Sequence, residues 1–382
     1  MPFLTVHVLR ALPMHNLNRD QNGLPKSQFD GGIQRGRLSS QSIKRPARIA
    51  FREAVQALPD APSSIRTMDS HAAKKAVEIA EAFAMQAGVA FDVAVATKTA
   101  DSVVKSLAKA GKKEESDSSD TATDKKDNIL LFSEAEIETL AQALVDAQNG
   151  AEEPTVDDFI LDFRSPSLDV AAFGRMFAAK ASKSTQAAVA VSHAVMTHEM
   201  PLTIDYFTAV DEFEDKRDSA GAGHLGLAYY TSGVYYSTFT IDPAQFVRSW
   251  SGINSTTARA QLEALIKSLI EALPTGKLTN TNAHTKPVLV LAENQRSRTV
   301  YEFETPVLAG PDGGYTAPSI QALAAQARQA RTYDADNYLD TVLFNRSEVA
   351  ATLEGVEAAA SIDELASRVA ELVMQSLGGD GS

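Results

Sequence analysis

A chain of 382 residues with 44% hydrophobic and 22% charged residues has an ordinary globular composition, and its length predicts two or three domains, or one core with a large insertion. It contains no cysteine, which excludes disulfides, thiolate metal sites and a cysteine nucleophile and makes a reducing cytoplasm the natural compartment. A formal net charge of −13 and a pI near 5.1 argue against diffuse attraction to polyanions, and no run approaches the roughly 18 apolar residues of a membrane span.

The opening residues, MPFLTVHVLRALP, hold too short an apolar run for a signal peptide and are interrupted by Arg10, which fits a soluble cytoplasmic protein. Phe3 to Leu9 alternates, with Leu4, Val6 and Val8 on one face and Thr5 and His7 on the other, the pattern of a half-buried strand. Leu12 to Asp30 is rich in Asn, Asp, Gly and Pro and reads as a loop.

The loop leads into GGIQRGRLSSQSIKRPARIAFR, Gly31 to Arg52, which carries Arg35, Arg37, Lys44, Arg45, Arg48 and Arg52 and no acid. Without those six positives the remainder stands at −19, so the field of the whole chain repels a polyanion while this one stretch holds it. Its arginines, serines and glutamine supply the donors that phosphate oxygens accept, and a helix capped by Ser40 or Ser42 adds its N-terminal dipole. Taken alone, such a run is more often a solvated basic helix face. Ile43, Ala47, Ala50, Phe51, Ala54 and Val55 recur at helical spacing, with Lys44, Arg48 and Arg52 on the other face. Pro46 falls in or just beyond the first turn, where its missing N–H is best tolerated.

From about Leu58 to Phe163 the chain reads as a helical insertion, with helices over Ser70 to Ala87 and Glu134 to Ala147, the second opened by a Ser133/Glu136 capping box. Between them, Gly111 to Asn128 is almost free of apolar residues and reads as a disordered surface loop. Strand-like alternation is expected over Leu168 to Phe177, a helix over about Thr185 to His198, and a long hairpin from DYFTAV and SGVYYSTFTI around a glycine-rich tip. Asp242 to Leu273 reads as a helix with Leu262, Leu265, Ile266, Leu269 and Ile270 as its stripe, Val288 to Leu291 as a buried strand, and Ser319 to Arg331 and Ile362 to Leu377 as closing helices. That order suits a split βαβ sheet with large insertions.

The segment GAGHLG, Gly221 to Gly226, satisfies G-x-G-x-x-G but neither follows a buried strand nor opens a helix, so its glycines belong to a hairpin and not to a dinucleotide site. His193 and His198, five apart on an expected helix, would point about 140 degrees from each other. No metal is expected of them or of His224, and G-x-S-x-G, H-E-x-x-H and the P-loop motif are absent. What remains is a recognition surface: the basic stretch, Arg175 and Met176, Tyr206 and Phe207 beside Thr208, and Lys277 in LPTGK. Cations that grip a backbone and Phe, Tyr or Met faces that stack on or part bases suit single-stranded nucleic acid. The competing readings are an RNA-processing nuclease using His193, His198 or His224, and a purely structural oligomer.

LNRD (Leu17 to Asp20), FDGGIQRGRLSSQSIKR (Phe29 to Arg45), FGRM, VSHAVMTH, DYFTAVDE, the AGHLG to SGVYY block and PSIQA (Pro318 to Ala322) resemble, in order, the CasC family, the repeated backbone subunit of the type I-E CRISPR surveillance complex Cascade. The resemblance implies an α+β fold: an RRM-like (ferredoxin-like) palm from 1–57 and 164–382, a helical finger at 58–163 with the loop at about 111–128, and a thumb β-hairpin at about 203–228. It implies a non-catalytic subunit without cofactor or metal, whose copies line the guide crRNA beside other Cascade subunits and present it to target DNA, with no membrane partner. Ser40, Gln41, Lys44 and Arg48 would hold guide phosphates or riboses, and Arg35, Arg37, Arg45, Arg175 and Lys277 join them as candidate RNA-binding cations. Met176 would wedge beside bases, and Tyr206, Phe207 and Thr208 would lie on the thumb. Pro46 stands where the family has a small residue, and the finger loop is acidic.

Overall fold

A computed structural model describes residues 1–108, 129–209, 224–351 and 353–378; the finger loop and the hairpin tip lie outside them. In chain order the elements are β1 (Phe3–His15), β2 (Ser27–Asp30), β3 (Ile33–Leu38), α1 (Ser40–Val55), β4 (Ser64–Met68), α2 (Asp69–Ala87), α3 (Val93–Lys105), β5 (Ile129–Ser133), α4 (Glu134–Gln148) and α5 (Leu168–Phe173). There follow β6 (Val189–Val191), β7 (Ala194–Met196), β8 (Thr203–Ala209), β9 (His224–Ile241), α6 (Pro243–Ser249), α7 (Ala258–Glu271), α8 (Leu278–Thr281), β10 (Leu289–Gln295), α9 (Thr316–Tyr333), β11 (Tyr338–Asn345), β12 (Glu357–Ala358) and α10 (Ile362–Gly378). The fold is a mixed α+β one. Its contacts divide the chain into one unit of Met1–Ala50, Val191–Ile241 and Leu265–Ser376 and another built chiefly of Phe51–Ala190 and Asp242–Ala264.

The first unit is organised by one large sheet in which β10, β1, β9 and β7 are successive neighbours, every pair antiparallel, with β11 and β12 beyond β10 and β3 and β2 beyond β7. The pair β11–β12 is parallel, which makes the sheet mixed. One face packs Leu12, Leu38, Ala194, Met196 and Tyr235 with Ile43 of α1 and Leu273. On the other, Leu9, Leu289 and Leu291 meet Tyr301, Phe303 and Val307 and the Ile320, Leu323 and Ala327 stripe of α9. Strand β1 is therefore covered on both faces. Thr5 and His7, expected on a half-exposed face, are fully buried.

Their burial requires partners, because an unpaired polar group inside a protein carries its full desolvation cost. His7 Nε2 donates to Glu293 at 3.1 Å, and its Nδ1 bonds the Tyr236 hydroxyl at 2.8 Å. The same carboxylate accepts from Tyr301 (2.9 Å), Gln295 Nε2 (2.9 Å) and Arg331 (2.8 Å), while Thr5 Oγ1 donates to Gln295 (2.9 Å).

His15, at the end of β1, has no such company. Burial pushes its pKa from 6.5 down to about 4, and its Nε2 has no hydrogen-bond partner. Between those values the unfolded chain takes up a proton that the folded chain refuses, so stability present above pH 6.5 drains away as pH falls through the window, by up to about 1.4 kcal/mol per pH unit. His15→Phe should flatten that dependence in urea melts at pH 7 and pH 5; an unchanged slope would show that His15 is not its source.

In the second unit α2, α3 and α4 enclose a core of Ala76, Ala80, Ala100, Val104, Ile137, Leu140 and Leu144, joined by Phe132 of β5 and Phe177. The helices expected over Ser70 to Ala87 and Glu134 to Ala147 form, and the Ser133 N–H donates to Glu136 at 2.8 Å as a capping box requires. Three expectations are corrected. Leu168 to Phe177 begins as the short helix α5, ended by Gly174 at φ 74°; Leu168, Val170, Ala171 and Ala172 are all buried, and an element buried all round shows no period that separates helix from strand. Thr185 to His198 is extended, with the short strands β6 and β7, because Val195 and Met196 pair with Tyr236 and Tyr235 of β9. There, pairing overrides the helix propensity of an alanine-rich run. Asp242 to Leu273 is two helices: Asp242 caps α6, and residues 250–257, with Gly252, separate it from α7.

Candidate nucleic-acid interface

The basic stretch folds as a strand followed by a helix, and that division sorts its cations. Arg35 points inward from β3 and is fully buried. Its guanidinium donates to the carbonyls of Asp30 (3.2 Å), Met196 (3.1 Å), Thr197 (3.2 Å) and Glu304 (2.8 Å). The expectation that it faces a phosphate is corrected, since its donors are bound to backbone that it fastens together. Arg37, two residues on, is half-exposed, and its charge and that of Lys26 act on His193.

Helix α1 begins at Ser40, so the cap is Ser39 rather than Ser40 or Ser42: Ser39 Oγ accepts the Ser42 N–H at 3.4 Å and its carbonyl accepts the Ile43 N–H at 3.2 Å. The Ser40 N–H donates to His193 Nδ1 at 2.9 Å. His193 is thus a second cap, and burial, then Arg37 and Lys26, hold its pKa below the ordinary value. Ile43, Ala47, Phe51 and Val55 are buried at every fourth position, whereas Ala50 and Ala54, expected in that stripe, are exposed. Gln41 and Arg45 are exposed and Lys44, Arg48 and Arg52 half-exposed, and no acid lies in the helix's first turn. Burial holds the pKa of Lys44 below the ordinary lysine value. Pro46 lies inside α1, and the helix continues past it to Val55.

The hairpin carries the second group of candidate contact residues in this unit. Strand β8 pairs antiparallel with β9, Ile204 opposite Tyr229, Tyr206 opposite Leu227 and Phe207 opposite Gly226. Directly opposed residues share a face, so Ile204, Tyr206, Leu227 and Tyr229 form one apolar surface, and Tyr206 is 69% exposed. Thr208 stands exposed on the same strand face as Tyr206. Gly226, the last glycine of GAGHLG, has a packing reason: a Cβ there would come within 2.2 Å of the Phe207 ring. Lys277, in a left-handed conformation before α8, sets its ammonium 5.4 Å from the Tyr230 ring centroid at the base of the hairpin.

Two of the histidines proposed as a nuclease centre, His193 and His198, are engaged in structural hydrogen bonds. His198 Nε2 accepts the Val234 N–H at 3.1 Å, its Nδ1 donates to the Glu199 carbonyl at 2.7 Å, and its ring stacks on Tyr315 at 3.6 Å. A Cβ on Gly233 would clash with that ring. His224 falls on β9, and no metal-binding group of His, Asp and Glu occurs among the described residues.

In the second unit Arg175 and Met176 are adjacent but face different surroundings. Arg175 is buried in a two-pronged ion pair with Glu136 (2.5 and 2.7 Å), which corrects its assignment as an RNA contact: removing that carboxylate from its side would leave a buried charge unpaired. Met176 is 78% exposed and lines an open groove with Phe163, Arg164, Val247 and Arg248. Sequence reasoning missed Phe163, Arg164, Arg248 and Lys26; all four sit in irregular or short segments where no period marks a face.

A family model described as CT1975-like protein matches residues 4–368. Among solved structures, a chain of a "CRISPR RNA-guided surveillance complex, pre-nicking" is similar at 25% identity with a TM-score of 0.70, covering 97% of this chain and 100% of that one. A chain of a "CRISPR RNA-guided surveillance complex" is similar in fold at 21% identity with a TM-score of 0.59, covering 97% and 99%. The curated proteins yield no match.

Proposed function

The chain belongs to the CT1975-like protein family, and from that premise we propose that it is a non-catalytic subunit of a CRISPR RNA-guided surveillance complex, a Cascade backbone protein that binds the guide RNA. Copies line the guide, work beside other Cascade subunits in the cytoplasm, and present it for pairing with target DNA. The observation that carries this reading is the start of α1, where Arg37 precedes a doubly capped helix N-terminus with no acid in its first turn and Lys44, Arg45 and Arg48 follow along the helix, in a chain of net charge −13. A localised cation cluster on a repelling body grips a backbone without reading its sequence.

Ser40 and Gln41 supply hydrogen bonds there, while Arg35 holds the strand from within. Tyr206, Phe207 and Thr208 offer the thumb's faces, Met176 wedges beside bases from the second unit, and Lys277 stiffens the thumb's base. An RRM-like palm is supported by the strand order β10-β1-β9-β7 with α1 following β1 and α7 preceding β10, and α2, α3 and α4 serve as the finger. The chain coexpressed with a repeat-containing transcript should purify with RNA of one defined length, seen in its absorbance ratio and on a denaturing gel. Protein free of RNA under those conditions, or filaments assembling equally well without it, would sink the reading.

A further inference from the structure

A groove of about 610 Å³ lies in the first unit and takes no part in the guide reading. Its wall is the strap from Glu302 to Leu308, and its floor is one face of α9, where Pro318, Ala322, Ala325, Gln326 and Gln329 recur at helical spacing. The strap sorts its side chains: Phe303 and Val307 are buried in the core, while Glu302, Glu304 and Leu308 are exposed. Its backbone is tied down. Gln326 clasps Glu302, its Oε1 accepting the N–H at 2.9 Å and its Nε2 donating to the carbonyl. Arg35 donates to the Glu304 carbonyl at 2.8 Å, and the Val307 N–H donates to the Thr197 carbonyl at 2.9 Å. A wall fastened in this way presents its outward side chains without the ordering cost that weakens sites built on loose loops.

The lining selects the occupant. No lysine or arginine lines the groove, and its two carboxylates, Glu302 and Glu304, have no cation within ion-pair distance among the described residues. Glu304 Oε2 accepts the Thr305 hydroxyl at 3.4 Å, and Arg35 bonds the Glu304 carbonyl and not its carboxylate. Leu308 stands 80% exposed, and Pro306, Pro318, Ala322 and Ala325 make up the rest of an uncharged apolar bed. Two carboxylates at the edge of that bed repel phosphate, so neither strand of a nucleic acid suits it. A second copy of the chain suits it no better, because each copy carries −13 and its acid-free basic helix is the one that the guide engages.

We infer that this groove docks an extended, lysine-bearing segment of a different protein subunit, with its ammonium groups on Glu302 and Glu304 and an apolar side chain laid between Leu308 and the Ala322–Ala325 face of α9; the inference rests on the reading of the chain as a subunit of a multi-protein complex. The volume suits one peptide segment entering a cleft and not a broad flat contact. Opposite charge on the two partners steers their encounter and fixes the register of the segment, while the apolar contact supplies the affinity.

The test uses the complete complex, purified after coexpression of the chain with a guide and the other subunits, and a carbodiimide that joins carboxylates directly to lysine amines. Mapped by mass spectrometry, Glu302 or Glu304 should be joined to a lysine of another subunit. Glu302→Lys/Glu304→Lys reverses two exposed charges, so the melting temperature and the bound RNA should be unchanged while retention of that subunit through a moderate-salt wash falls about fivefold or more. Leu308→Ser, which leaves the charges in place, should lower retention as well. Complexes that hold RNA but show no joining at either glutamate, although other exposed carboxylates react, overturn the inference and leave the guide reading standing. So does undiminished retention in either variant. Joining to a lysine of this same chain makes the groove a contact between copies and rejects a different subunit. Wild-type complex without RNA overturns the guide reading, and a lysine of another subunit joined to Glu302 or Glu304 in that material would still uphold the groove.

Discussion

Glu293→Ala is expected to lower the unfolding free energy by about 3–5 kcal/mol, read as a shift of the urea midpoint, because the buried carboxylate is the shared acceptor of His7, Gln295, Tyr301 and Arg331. Removing it leaves Arg331, Tyr301 and His7 without the oxygen they all address. The loss comes from stranding donors and not from the net worth of one ion pair. Replacing Glu293, His7 and Arg331 together by apolar residues of similar volume should therefore lose far less than Glu293→Ala alone, since a buried ionic cluster and a packed apolar one are often nearly equal in stability. Burial works to raise the Glu293 pKa, but the hydrogen bond and charge of His7, then Arg331 and Tyr301, hold it below 4.5. A carboxylate lowered on folding contributes stability that is complete above about pH 4.5 and is lost as pH falls through the folded value. Wild-type acid unfolding should therefore steepen below pH 4.5, after the earlier loss due to His15, and Glu293→Ala should remove the later phase only.

Much of the framework was legible because periodicity marks elements that bury one side: α1, α4, the hairpin, and the alanine-rich helices α9 and α10; the first strand was legible from its alternation although both its faces are covered. The capping box at Ser133 was readable from two residues. What was not legible has a common cause. Thr5 and His7 look like the wet face of a half-buried strand, and only the arrival of α9 and Tyr301, some three hundred residues on, makes that face internal. The alanine-rich run before His198 has helical propensity, and β9 recruits it into the sheet. Within the candidate site, residue type located the basic stretch but could not separate Arg35 from Arg37, because residues two apart in a strand share a face and only the distant carbonyls of Met196, Thr197 and Glu304, which close over Arg35, tell them apart. Arg175 and Met176 show the same ambiguity at adjacent positions. The left-handed backbone of Phe163, at φ 56°, has no sequence mark at all.

That separation of scaffold from contact is what the second large effect tests. Lys44→Ala/Arg48→Ala should weaken guide binding by about ten- to a hundredfold at moderate salt and reduce the slope of log K against log salt by about 1.4, the value for losing two phosphate contacts to a single strand. Lys44 and Arg48 stand one turn apart on one face of α1, and the apolar anchors of that helix, Ile43, Ala47 and Phe51, are untouched, so the fold should survive. Arg35→Met makes the opposite case. It forfeits four carbonyl contacts inside the sheet, so its melting temperature should drop, while the protein that remains folded should bind with an unchanged salt slope. A sequence reading treats the three cations alike, as parts of one charge run. If Arg35→Met lowers the slope as much as the helix pair does, its guanidinium meets phosphate and the burial seen here is not the bound arrangement. If only the helix pair does, the guide lies on the start of α1, and β3 with its arginine is the strut that sets the helix at the right height.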